Sequence, residues 1–98
     1  MTKEEFIYLY NANASLCAYK IQVENSRDII AQNVVEVNTY YITTQVIFRF
    51  DNNDIYSILI RRRNGVDIKK DDDSFSQFLG CENFITGVSI FFEVSDEK

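Results

Sequence analysis

The sequence predicts an α+β fold, an antiparallel sheet of four to five strands with one or two short helices packed on one face. Three observations carry this expectation. Residues 40–63 contain two runs rich in β-branched and aromatic residues, separated by the turn-forming Asp51-Asn52-Asn53-Asp54. Helical spacing with capping residues occurs only in short stretches, near residues 2–10 and 73–79. The composition, 46% hydrophobic and 14% aromatic over 98 residues, is rich enough for one core and far from that of a disordered chain. No Pro/Gly/Ser-rich stretch divides the chain, so residues 1–98 read as a single domain.

The first element is ambiguous. Thr2 and Glu5 form a capping box for a helix carrying Phe6, Leu9 and Tyr10 on one face, yet Phe6 to Tyr10 is also rich in strand formers. Tyr19, Ile21 and Val23 alternate with Lys20, Gln22 and Glu24, which is the period of a strand with one face on the core. Asn25 to Asp28 reads as a turn. Ile29 to Val37 is compatible with a strand or a short helix, and its β-branched content favours the strand.

The hairpin of Tyr40–Phe50 and Ile55–Arg63 is the strongest local signal. A two-residue loop at Asn52-Asn53 would set Phe50 opposite Ile55, Phe48 opposite Ser57 and Val46 opposite Leu59. These residues and Ile42 then form the core face, and Ile47, Tyr56, Ile58 and Ile60 fall on the reverse face among Arg49, Gln45, Thr43 and Arg62. After Asn64-Gly65, a strand remnant is expected at Val66–Ile68. A helix starting at Asp73 or Ser74 would bear Phe75, Phe78 and Leu79 and stop at Gly80. Phe84 to Val94 reads as a last strand with a slip at Thr86-Gly87.

Chemistry is sparsely represented. The chain has no histidine, the commonest general acid/base, and no phosphate-binding glycine loop or nucleophile elbow. The expectation is a protein that is not an enzyme and carries no cofactor. Asp71-Asp72-Asp73 lacks the spacing of a calcium loop and reads as a solvated turn, so no metal site is expected. Cys17 and Cys81 have neither a C-x-x-C spacing nor a histidine to complete a zinc site, and read as free thiols. The acidic start does not resemble a signal peptide, and no apolar run approaches a membrane span, which together point to the cytoplasm and away from membranes. The abundance of Ile, Asn, Asp, Tyr and Phe matches AT-rich codons, as in a low-GC bacterium or one of its phages. A phage factor would act in the host cytoplasm.

Two surfaces emerge as candidates. The reverse hairpin face, Ile47, Arg49, Tyr56, Ile58, Ile60 and Arg62, has the aliphatic, tyrosine and arginine composition of a protein interface, unless the N-terminal segment or the later helix covers it. It suggests a small acidic binding protein, an inhibitor or regulatory factor acting by protein–protein contact, or a homodimer formed through the same face. The alternative is a nucleic-acid binder using segment 61–70, where Arg61, Arg62, Arg63, Lys69 and Lys70 oppose one acidic residue in a chain of net charge −5. Against it stands a pI of 4.6, and surface pairing of these arginines with Asp and Glu is the bland reading.

Overall fold

The computed structural model describes residues 1–64 and 76–89. Two helices, α1 (Lys3–Ala12) and α2 (Ala14–Tyr19), precede four strands, β1 (Ile29–Val37), β2 (Tyr41–Arg49), β3 (Ile55–Arg63) and β4 (Ser76–Asn83). The strands form an antiparallel sheet in the order β1-β2-β3-β4, each pairing with its sequence neighbour. The α+β expectation therefore holds, with both helices contributing to the core on one side of the sheet.

The Thr2 cap decides the first element. The Thr2 hydroxyl accepts a hydrogen bond from the Glu5 amide at 3.0 Å, and Glu4 and Glu5 lie at the positive end of the helix. Phe6 and Leu9 face inward; the Phe6 ring meets Phe50 and Phe78 edge-on at 5.4 and 5.5 Å. Asn13 links the two helices. Its amide donates to the Leu9 carbonyl at 2.7 Å, closing α1, while its side-chain oxygen accepts from the Leu16 amide at 3.1 Å, opening α2.

The strand expected over Tyr19–Glu24 does not form. That segment is the end of α2 followed by a single π-helical turn, Lys20–Glu24, closed by the Asn25 amide on the Lys20 carbonyl at 2.8 Å. Cys17, Ala18 and Ile21 are the buried residues, a helical spacing, whereas Tyr19 and Val23 are exposed. The alternation counted only one truly buried position. The expected turn at residues 25–28 is present as the short 3-10 segment Ser26–Asp28.

The β2–β3 hairpin forms, but one residue away from the expected register. The loop has three residues, Asp51, Asn52 and Asn53, and Asn53 takes a left-handed φ of 74°. Phe50 then pairs with Asp54 through its amide at 2.9 Å, and a turn bond runs from the Asn53 amide to the Phe50 carbonyl at 2.8 Å. This is the geometry of a three-residue loop with a left-handed closing residue. Consequently Phe48 pairs with Tyr56, Val46 with Ile58 and Thr44 with Ile60. Because side chains alternate, that slip exchanges the faces of β3 relative to β2.

The helix expected to carry Phe78 and Leu79 is also absent, since both belong to β4. A bulge explains the misleading spacing. Leu59 pairs with Gly80 and Ile60 with Phe78, so Leu79 is the extra residue, and Phe78 and Cys81, three apart, both enter the core. Of the expected last strand, Phe84–Thr86 is a turn and residues 87–89 are irregular. Gly87 has a φ of 75°, and its amide reaches the Asn83 carbonyl at 2.7 Å. The expected strand at Val66–Ile68, the helix start at Asp73 or Ser74 and the residues beyond 89 lie outside the described residues.

Candidate functional site

The corrected register redistributes the predicted interface. Tyr56, Ile58 and Ile60 are essentially inaccessible and join Val46, Phe48 and Phe50 in the core beneath the helices. Ile47 and Arg49 lie on the opposite face of the sheet, where Ile47 pairs with Ser57 and is itself buried. Arg62, half-buried, is at the far end of β3. The six residues thus form no common surface. The N-terminal helices cover Tyr56, Ile58 and Ile60.

A different apolar surface is present at β1. This strand is at one edge of the sheet, and every residue from Ile30 to Val37 is exposed. Ile30 is 47%, Val34 61%, Val35 53% and Val37 63% accessible. The cause is positional. Helix α2 packs against β4 at the other edge, so the helical layer stops short of β1. Two bulges, which leave Ile30 and Val35 without partners on β2, turn these two side chains out of the regular pleat. Glu36 is the single charged residue of the strand, and its carboxylate accepts a hydrogen bond from the Thr43 hydroxyl at 3.3 Å.

The second candidate, the arginine end of β3, is assembled more fully than alternation alone suggests. Arg61, Arg62 and Arg63 line one open depression of about 270 Å³, together with Ser15, Tyr41 and Gln77. The Arg61 guanidinium lies 4.8 Å from the centre of the Tyr41 ring, a cation–π contact between diagonal neighbours on β2 and β3. The Nε of Arg61 is buried without a hydrogen-bond partner. Among the described residues, neither Arg61 nor Arg62 is in an ion pair, so the expected surface pairing with Asp and Glu is not seen for these two. Lys69 and Lys70, the remainder of the predicted basic segment, lie outside the described residues, as does Asp71-Asp72-Asp73.

The turn beside this depression is tightly tied. The Asn38 side-chain oxygen accepts from the amides of Tyr40 and Tyr41, both at 2.8 Å. Asn64 donates from its amide to the Tyr40 carbonyl at 2.9 Å and from its side chain to the Asn38 carbonyl at 2.6 Å. Tyr40 is held in this way as a residue 72% exposed. In the sequence, the available signal for this ordered turn is Asn38 just before the strand.

Both cysteines are free and buried. Burial pushes the Cys17 thiol up to about 12 and the Cys81 thiol further in the same direction, which makes neither a nucleophile at neutral pH. Among the described residues no cluster of acidic, cysteine or histidine side chains could hold a metal ion, and no helix is long and apolar enough to cross a membrane. Comparison with known proteins finds no matching family model, curated protein or solved structure.

Proposed function

We propose that the chain is a small binding protein, an inhibitor or regulatory factor of the cytoplasm, that accepts an extended segment of a partner protein along β1. The observation that supports this reading is the uncovered edge: a nine-residue strand that has β2 as its sole sheet neighbour among the described residues and whose valines and Ile30 face solvent. Such an edge is a template for strand addition, in which backbone hydrogen bonds supply affinity and alternate side chains supply selectivity. Stable soluble domains usually blunt an edge of this kind with lysine or proline; β1 has neither. Its bulges restrict which strand can dock without preventing addition. The role expected for Ile47, Tyr56, Ile58 and Ile60 thereby passes to Ile30, Val34, Val35 and Val37.

The test is a pull-down from nuclease-treated lysate of the source cell, comparing the native chain with a Val34→Lys, Val35→Glu double variant. The two changes preserve net charge and fall on exposed positions, where substitutions alter stability by only about 0.5 kcal/mol. A protein captured by the native chain and lost with the variant supports strand addition. If the variant captures the same protein equally well, β1 is not the contact. Light scattering on both forms identifies a second copy of the chain as the partner if a native dimer becomes monomeric in the variant.

A further inference from the structure

We propose that the end of β3 binds the phosphate backbone of a single-stranded nucleic acid, with Tyr40 as a stacking platform for a neighbouring base. The inference is independent of strand addition at β1. Arginine forks match phosphate oxygens, and a site for an anion requires donors that are not already satisfied by carboxylates. Arg61 and Arg62 meet that requirement among the described residues; the Nε of Arg61 is itself buried, so an anion would meet the terminal nitrogens of the fork. The contact with Tyr41 holds the Arg61 guanidinium plane in place, so less freedom is lost when an anion docks.

The shape favours a chain of phosphates and bases over a compact cofactor. The depression of about 270 Å³ is open and does not enclose a ligand. A second open depression, of about 310 Å³, adjoins it and shares Tyr41 and Arg63, with Thr39, Tyr40 and Asn64 completing its lining. Arg61, Arg62 and Arg63 and the exposed Tyr40 therefore line two adjoining depressions. That is the pattern by which single strands are held, backbone on cations and bases on rings, and a phosphopeptide would leave Tyr40 without a stacking partner. The net charge of −5 opposes long-range attraction, so binding depends on these short-range contacts.

The test is fluorescence anisotropy of a short labelled single-stranded oligonucleotide against the full chain. Two phosphate contacts, from Arg61 and Arg62, give a log–log salt slope of about −1.4, so affinity should fall about sevenfold between roughly 50 and 200 mM salt. Arg62→Ala should weaken binding about fivefold at about 0.1 M salt and flatten the slope, while Arg62→Lys should keep most of the slope. Tyr40→Ala should weaken binding about fivefold or more with the slope unchanged, because stacking releases no counterions. Circular dichroism of each variant should match the native chain. The β1 double variant should bind the oligonucleotide as the native chain does, which separates failure of this inference from failure of strand addition. The proposal is overturned if binding is unsaturable, if duplex of the same sequence binds equally, if Arg62→Ala has no effect, or if a phosphopeptide binds and the oligonucleotide does not.

Discussion

The register of the β2–β3 hairpin can be tested by truncating two adjacent residues, Ile58 and Leu59, to alanine. In the structure Ile58 has no accessible surface, lies between Val46 and Cys81, and belongs to the core under the helices. Leu59 points to the opposite face and is half-buried. Ile58→Ala removes three carbons from a packed interior and should cost about 2–5 kcal/mol, including the cavity it leaves. Leu59→Ala should cost about 1 kcal/mol, roughly half the value of burying a leucine fully. In a domain of this size, about 1 kcal/mol corresponds to a Tm change of about 4–8 °C. Ile58→Ala should therefore melt at least about 8 °C below the native chain, and Leu59→Ala much closer to it. Urea titration followed by far-ultraviolet circular dichroism measures both free energies under identical conditions. The two-residue-loop register places Val46 opposite Leu59 and reverses the order. A larger loss for Leu59→Ala than for Ile58→Ala would refute the three-residue loop and return Ile58 to the surface. Ile58→Asp is expected to unfold the domain, since it buries a charge without a partner.

Two further outcomes follow from ionisable groups. The Met1 ammonium bridges Asp28 at 2.9 Å and Asp51 at 3.0 Å; burial opposes its charge, but the two carboxylates outweigh burial and raise its pKa above the ordinary 8.0. Its contribution to stability is therefore complete below about pH 8 and lost as pH rises through the raised value, so urea midpoints should decline as pH is raised above 8, and less in an Asp28→Asn, Asp51→Asn variant. The buried thiols of Cys17 and Cys81 should react with an aromatic disulfide reagent only as fast as the domain opens, with both reacting promptly in denaturing urea; rapid native-state labelling of either would contradict its placement in the core.

Several features were legible in the residues because their causes are local. The Thr2 cap, the turn at Asn25–Asp28, the β-branched strand at Ile29–Val37 and the Asp51–Asp54 hairpin each depend on neighbours within a few positions. The misreadings also have local causes. Tyr19, Ile21 and Val23 alternate in type but not in burial, while the spacing of Cys17 and Ile21, with Asn13 as cap, was the helical signal that the alternation obscured. Phe78 and Leu79 suggested a helix because the spacing of a bulged strand resembles a helical one over so few residues.

For the candidate sites, the arginine triplet was visible in the sequence, but its convergence with Tyr41 and the absence of carboxylate partners for Arg61 and Arg62 among the described residues were not. By itself the sequence determined the composition of an α+β domain, its strongest hairpin and which side chains alternate within β2 and within β3. Only the tertiary structure decided how the strands pair. Alternation establishes faces within one strand, whereas the relative faces of two strands depend on the loop between them, and a single residue in left-handed conformation at Asn53 exchanged surface for core. The edge position of β1 was equally undetermined, because which strand lacks a second neighbour, and how far the helices extend over the sheet, are properties of the whole assembly of elements.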